Sequence, residues 1–488
     1  MNSEEQHLHP VAMLIGAVKT IRRWIGAAAI PGIAALAGSG WQLRLVFAGV
    51  FVLVAGSAVW GFLSWRTTTY GVSGGAFHLR RGVLRKTERT IPLEHVQSVD
   101  MVQGIIQRVF SVIELRVESA GGGAKEPDAT LSALSRDAAE ALRREIEDFR
   151  RAVAGTEDEK TAGPAIIRQL GTRDLLIAGA TSGQIGAAFA LIAAASQFFD
   201  DFLPDSFAER LVLSLSPDSV KTILLIVLAF GFFAWLLAIG GTVLAYAGFI
   251  LSRDGDFLYI RRGLLERREA TIPLARIQAV KVVEGILRQP FGLAMLRVES
   301  AGYGEAAGVS TTLFPLLPRK EAQELLLEVA PEFAVDARLN PLPSRARRRY
   351  IFRAMLPALF IVVALTAVSF FALDSVVWGS LAPLLLVPAA FLGWLRYKAA
   401  GWAFTKDCLV VRSRFLALTT AIAPRCRLQS RGVTRSPFQR RVRLATLRAL
   451  VASGRGGVAL EVVDLEDASA DSLLRHLGPR PGLEGGPL

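Results

Sequence analysis

The chain has 488 residues, of which 52% are hydrophobic and only 20% charged, and a formal net charge of +13. A soluble chain of this length would divide into several globular domains and carry more charge, so the balance argues against an ordinary soluble protein. The basic excess admits nucleic acid or an anionic membrane surface as partner, and the position of the charge decides between them.

Windows free of Asp, Glu, Lys and Arg appear first at Trp24–Leu43 and Leu45–Trp65, behind a cytoplasmic N-terminal segment, 1–23. About 20 such residues cross a bilayer as a helix. Residues 24–65 therefore read as a first transmembrane hairpin, interrupted by Pro31 and several glycines that neighbouring helices can cover. There is no small-residue cleavage site after a short apolar core, so no removable signal peptide is expected.

A soluble module, 66–152, follows. Phe77-His78-Leu79 runs into Arg80-Arg81-Gly82, a tight-turn signal. Strands are predicted over Leu84–Ile91 and Val96–Val102. Ile113-Glu114-Leu115-Arg116-Val117-Glu118 alternates apolar and charged residues as a half-buried strand does. Gly121-Gly122-Gly123 lacks the Lys-Ser/Thr of a phosphate loop and reads as a flexible hairpin tip. A short strand over Ala129–Leu131 leads to Ser135, an N-cap for a helix over Arg136–Phe149 with Ala139, Leu142, Ile146 and Phe149 on one face. Strands closed by one amphipathic helix suggest a small β-barrel or sandwich capped at one end.

A linker, 153–173, leads to a second hairpin, 174–250, on windows Leu175–Phe199 and Thr222–Ser252. Residues 251–335 then repeat the first module. Arg261–Gly302 aligns with Arg80–Gly121 without a gap, with about half the positions identical. The closing helix of this copy is predicted over Arg319–Ala330. A basic linker, 336–352, holding Arg345, Arg347, Arg348 and Arg349, introduces a third hairpin, 353–397, on windows Ala354–Leu373 and Ser375–Leu395. Residues 398–478 carry an eroded third copy, Val411–Ser453, a closing helix over Ala468–Leu477, and then a flexible tail, 479–488. Its anchors stay in register: Pro92, Pro273 and Pro424; Gln97, Gln278 and Gln429; Leu115, Leu296 and Leu447; Arg116, Arg297 and Arg448. The fold class is thus a multi-pass α-helical membrane protein of six spans with three α+β modules.

Lys19, Arg22, Arg23, Arg66, Arg168, Arg173, Arg253, Arg353, Arg396 and Lys398 flank the windows on one side. The opposite connections hold Asp200, Asp201, Asp205, Glu209, Asp218 and Asp374. That positive-inside bias places both termini and all three modules on the cytoplasmic face of the membrane. It accounts for most of the basic excess and leaves no case for nucleic acid. Cys408 and Cys426 lie far apart in the chain without metal-type spacing, and in a reducing cytosol free thiols are expected.

The repeated run Arg80-Arg81-Gly82, Ile91-Pro92-Leu93, Gln97 and Leu115–Gly121, with its copy at Arg261–Gly302, resembles the bacterial pleckstrin-homology-like (PH domain type 2) membrane proteins of the YdbS/YdbT type. His7-Leu8-His9-Pro10, just before the first span, resembles the short element that opens those chains. The resemblance covers almost the whole chain. The third module departs from it at Ser413-Arg414 and Ala449-Leu450-Val451, which puts a retained binding surface there in question. The resemblance implies a seven-stranded, partly open β-barrel capped by a C-terminal helix, and a role in envelope stress resistance. It does not imply an activity, because this fold is a generic binding platform.

No catalytic set stands out: His7, His9, His78, His95 and His476 sit beside no candidate nucleophile and in no zinc-binding helix pattern. No enzyme, cofactor or metal is expected. Charge-free spans argue against an ion-coupled transporter. Polar uncharged residues and backbone could still line a path, so permeation regulated by the modules is the alternative. Arg80, Arg81, Arg261 and Arg262 read either as a solvated turn or as headgroup contacts, each cation near an anionic leaflet contributing about 1 kcal/mol. Arg116 and Glu118, like Arg297 and Glu299, are expected to form cross-strand ion pairs on the barrel exterior. Gln97, Gln278 and Gln429 are expected as buried amides bonded to a bend, with Pro92, Pro273 and Pro424 as structural anchors. The leading reading is a non-enzymatic membrane scaffold whose partners are the lipid bilayer and a protein, which could be another copy of itself.

Overall fold

The computed structural model describes residues 6–21, 40–119, 128–154, 164–182, 220–300, 312–371, 376–453 and 457–478. The chain gathers into two compact units, Met1–Leu170 with Val243–Ala275 and Gly302–Ser310, and Gly171–Thr242 with Arg276–Ala301 and Thr311–Leu488.

In the first unit, strand β1 (Gln6–His7) precedes helices α1 (Ala12–Ile21) and α2 (Gly40–Arg66). Strands β2 (Thr69–Ser73), β3 (Ala76–Arg81) and β4 (Thr87–Pro92) follow and form an antiparallel sheet in the order β1-β2-β3-β4. Strands β5 (Val96–Gln103), β6 (Val112–Ser119) and β7 (Ala129–Ser135) and helix α3 (Arg136–Ala154) complete the first module. Ser135 caps α3, its Oγ accepting from Ala138 N at 3.3 Å. Phe77, Leu79, Val96, Leu115, Val117 and Leu131 fill the space between the sheets, and Ile146 of α3 closes it. Burying each such side chain contributes about 1.5–3 kcal/mol. Leu8, Ala12 and Ile15 belong to the same core. Trp65 Nε1 donates to Leu8 O at 2.7 Å, and His9 N to Ala133 O at 3.0 Å. The N-terminal segment is thus built into the first module rather than merely preceding a span.

The first unit also holds the opening strands of the second module: β8 (Ala165–Gln169), β9 (Ile250–Asp254), β10 (Phe257–Arg262) and β11 (Arg267–Pro273). They continue the first module's second sheet, in the order β7-β6-β5-β11-β10-β9-β8.

The second unit repeats this arrangement one module on. Strands β12 (Ile277–Glu284), β13 (Leu293–Ser300) and β14 (Thr312–Pro318) are the second module's remaining strands. They share a sheet with β15 (Asn340–Pro341), β16 (Gly401–Thr405), β17 (Cys408–Arg414) and β18 (Leu418–Pro424), in the order β14-β13-β12-β18-β17-β16-β15. Strands β19 (Leu428–Thr434), β20 (Leu444–Val451) and β21 (Val458–Glu466) form the last sheet. The longer helices described in this unit are α4 (Thr172–Ala180), α5 (Val220–Tyr246), whose last turn belongs to the first unit, α6 (Arg319–Val329), α7 (Ser344–Phe371), α8 (Leu386–Ala399) and α9 (Asp467–His476). The expected barrels are therefore not closed. Each module is a pair of sheets, and neighbouring modules share one, because the outer strand of a small sheet completes its hydrogen bonds on the next module.

Among the described residues, four helices are long and apolar enough to cross a membrane: Phe47–Arg66, Leu228–Tyr246, Ser344–Phe370 and Gly379–Ala399. Most of Trp24–Leu43 and of Leu175–Phe199 lies outside the described residues, as do Gly121-Gly122-Gly123 and the tail. Among the described residues, three helix pairs meet at a glycine. A Cβ on Gly61 would stand 2.4 Å from Met13 O, on Gly179 3.0 Å from Ile239 Cα, and on Gly393 2.6 Å from Ile351 Cα. Such small residues let helix backbones approach closely, as hairpins in lipid require.

The repeated anchors have distinct roles. Pro92, Pro273 and Pro424 each end a strand before a single 3-10 turn. Gln97, Gln278 and Gln429 each sit at the register shift where β5, β12 and β19 pair with the next strand, so the repeated residue marks a β-bulge. The expectation of buried amides fails for the last two: Gln429 is exposed, and Gln278 is half-buried with Nε2 donating to Arg276 O at 3.1 Å. A bulge turns its extra residue out of the ladder, so the side chain need not be buried.

Candidate functional site

In each module the strand after the first hairpin turn ends in basic residues and gives way to a loop with an apolar tip. In the first two copies the loop needs glycine. Gly82 and Gly263 have φ of 125° and 101°, and a Cβ would lie 2.0 Å from Arg85 O and Glu266 O. Past them Leu84 is 88% exposed, and Leu264 and Leu265 are 47% exposed each. In the third copy Phe415 is 71% and Leu416 47% exposed.

In the second and third copies the tips lie against the ends of spans. Gly263 N donates to Ala247 O and Leu264 N to Leu244 O, both at 2.9 Å, which docks the second loop on the end of α5. In the third copy Arg396, in the last turn of α8, donates from Nε to Phe415 O at 3.2 Å and lies over the Phe415 ring at 4.2 Å. The last turn of a span lies at headgroup level, where aromatic and basic side chains concentrate.

The predicted arginines divide. Arg81 is exposed, and Arg80 pairs with Glu88 at 3.0 Å with both side chains 54% exposed. Arg261 faces Glu269 at 3.5 Å. Arg262 does not lie on an exposed turn. It is buried, its guanidinium sits 5.0 Å from the Tyr246 ring centroid at the end of α5, and burial lowers its pKa. Strand alternation explains the split, since adjacent residues of β10 point to opposite faces.

The third copy supplies what sequence reasoning missed. Repeat register puts Arg412 at the position of Arg80 and Arg261. Arg412 lines a cavity of about 240 Å³ with Arg353, Arg396, Arg414, Tyr350 and Phe415 at the foot of α7 and α8. Glu461 is the acidic residue of that lining, and it is paired with Arg448 at 3.0 Å. Four guanidinium groups around one opening make a site for an anion. The departure at Ser413-Arg414 therefore does not remove basic character from this module. The signal available in the sequence was Arg412 in register with the two repeated arginine pairs, together with Arg396 at the end of a span.

Beneath this cavity Asp464, fully buried, accepts from Arg349 Nε at 3.0 Å and Gln439 Nε2 at 2.9 Å, and also from Arg353. It ties α7 to the third module.

The expected exterior ion pairs are corrected in the first module. Arg116 bonds Glu114 on its own strand at 2.8 Å, and Lys19 of α1 reaches the same carboxylate at 3.1 Å. Burial pushes Glu114 up, but Lys19 and Arg116 outweigh it and hold its pKa below the ordinary value. Glu118 is buried instead of paired outside. In the second module a cross-strand pair does form, between Lys281 and Glu299 at 2.7 Å. The hairpin of β17 and β18 brings Cys408 and Cys426 towards one end, Cys408 buried with its thiol pushed up to about 11 by burial, Cys426 exposed. Among the described residues there is no group of three or more His, Cys, Asp or Glu arranged to hold a metal ion.

Comparison with known proteins agrees with the repeat. The family model described as "Bacterial PH domain" matches residues 16–150, 175–332 and 356–480. The UPF0699 transmembrane protein YdbT of Bacillus subtilis strain 168 is 32% identical over 494 residues, covering 97% of this chain and 98% of that protein. No solved structure matches the chain.

Proposed function

The chain belongs to the bacterial PH-domain family, and on that premise we propose a non-enzymatic inner-membrane scaffold whose three modules face the cytoplasm, grip anionic lipid headgroups and hold protein partners. One observation carries the headgroup reading: in the second and third modules the apolar-tipped basic loop is hydrogen-bonded to the end of a span. An apolar tip at that depth enters the acyl boundary while the flanking cations meet phosphate. Each cation near an anionic leaflet contributes about 1 kcal/mol, so Arg80, Arg81, Arg261, Arg396 and Arg412 together give a strong preference for anionic lipid. A platform without a catalytic set suits a family defined by binding modules, and a part in envelope stress resistance fits a protein that holds others at the inner leaflet.

The test is retention of lipid by the full chain purified in mild detergent, read by native mass spectrometry. Wild type is expected to carry anionic over zwitterionic lipid, and charge reversal of Arg80, Arg81, Arg261 and Arg412 to Glu should abolish the preference. An unchanged lipid ratio in the reversed variant would overturn the headgroup reading. Buried Arg262 is left intact so that folding is not at issue. Crosslinking in native membranes, followed by identification of what co-purifies, tests the scaffold reading.

A further inference from the structure

Two joints hold the modules of this chain together, and they are the same joint. At the first, β5 pairs antiparallel with β11: Gln103 with Arg267, Val102 with Arg268, Met101 with Glu269. At the second, β12 pairs with β18: Glu284 with Leu418, Val283 with Thr419, Val282 with Thr420. In repeat register, where Gln97 matches Gln278 and Gln429 and Pro92 matches Pro273 and Pro424, every one of these pairs coincides. Each joint therefore joins the β5-type strand of one module to the β4-type strand of the next in one fixed alignment.

Three modules leave one strand of each type over. Among the described residues β4 is the outer strand of its sheet and β19 of its own. Their exposure differs from that of their counterparts. Thr90 is exposed, whereas Thr271 and Ile422 at the same repeat position are 4% and 5% exposed. Arg431 is exposed, whereas Val99 and Val280 are 3% and 0% exposed. An outer strand offers a row of main-chain donors and acceptors to any strand that fits. Charges on β4 and β19 do not bar pairing, since Arg267, Arg268 and Glu269 lie within the first joint and Lys281 and Glu284 within the second.

We propose that β19 of one copy pairs with β4 of a second copy of this chain, repeating the internal joint between molecules. Transferring the common register places Thr434 opposite Thr87, Val433 opposite Glu88, Gly432 opposite Arg89 and Arg431 opposite Thr90. The ladder ends at the Thr434–Thr87 pair, where β19 stops and β4 begins. The two strands of this joint are different surfaces, so the contact is head-to-tail and builds a ring if it closes and a row if it does not. Copies inserted the same way in one membrane present the two edges on one side, as consecutive modules within a chain already do. The inference names the partner in the scaffold reading and rests on that reading. It does not depend on lipid binding, which the retention assay reads separately.

Disulfide trapping in the full chain tests it, in a background with Cys408 and Cys426 replaced by Ala. Thr87→Cys and Thr434→Cys are placed on two differently tagged copies, co-expressed, and oxidised in isolated membranes. A dimer carrying both tags is expected, roughly tenfold above the control pair Thr90→Cys with Thr434→Cys, which is three residues out of register and on the opposite strand face. Equal trapping in both pairs, or no trapped dimer, overturns the proposal. So does an intramolecular disulfide in a chain carrying both Thr87→Cys and Thr434→Cys without intermolecular product, since that shows the edges meeting within one molecule. Normal expression and thermal stability of each single-cysteine chain exclude misfolding as the cause of a negative result.

Discussion

Glu118 gives the first module a pH dependence. Its side chain is buried on β6, accepting from Ser98 Oγ at 3.3 Å. Burial, then repulsion from Asp100, push its pKa up from 4.5 to about 7. The unfolded carboxyl releases its proton near 4.5, while the folded one keeps it until about 7. Between those values the unfolded state binds fewer protons, so stability falls as pH rises and levels off above 7. At about 1.4 kcal/mol per pH unit, the loss is on the order of 3 kcal/mol. Glu118→Gln removes the titration, so the variant should be more stable than wild type at pH 8 by up to that amount and indistinguishable near pH 4. Amide hydrogen exchange of β5 and β6 in the detergent-solubilised chain measures it, after correction for intrinsic exchange. In repeat register Lys281 stands where Asp100 does and Glu299 where Glu118 does, and those two form the 2.7 Å pair. The second module thus holds an ion pair where the first has two neighbouring carboxylates. Parallel pH profiles for wild type and Glu118→Gln, or a variant less stable at pH 8, would refute the reasoning.

Other outcomes follow from features already described. Gly263→Ala forces a Cβ to 2.0 Å from Glu266 O at a φ of 101°. It should cost on the order of 1–3 kcal/mol, seen as lower thermal stability and faster proteolysis between Leu264 and Glu266. Asp464→Ala strips the buried partner from Arg349 and Arg353 and should cost about 3 kcal/mol. Asp464→Asn, which tolerates the φ of 58° and can keep the Gln439 bond, should cost less, with exchange of β21 amides as readout. A membrane-impermeant maleimide should modify exposed Cys426 but not buried Cys408, and only in inverted vesicles. Labelling in intact cells would refute the cytoplasmic placement.

The parts of the fold legible in the sequence were those written in local periodicity. Alternation located Ile113–Glu118 within one or two residues of β6, and the repeated prolines fixed the ends of β4, β11 and β18 even in the eroded third copy. What escaped depends on partners distant in the chain. Leu8, Ala12 and Ile15 read as the approach to a span, yet they complete the first core, because the helix carrying them packs back on the module. Nothing in Thr87–Pro92 or Arg267–Pro273 says which strand will lie alongside; the neighbouring module decides that. The same holds for the site: Arg261 and Arg262 look alike in sequence, and only strand facing and the ring of Tyr246 separate them. The cavity around Arg412 assembles residues from two spans and three strands, so no single stretch could announce it.

The shared register of the two joints bears on how such a chain can grow or shrink. Duplicating a hairpin with its module inserts one more strand pair of a kind already present and leaves the terminal strands unchanged, so copy number can rise without a new interface being invented. Removing residues 174–335 would bring the strand that ends at Gln103 within reach of the one that begins at Leu418, and the alignment they would need is already built into both.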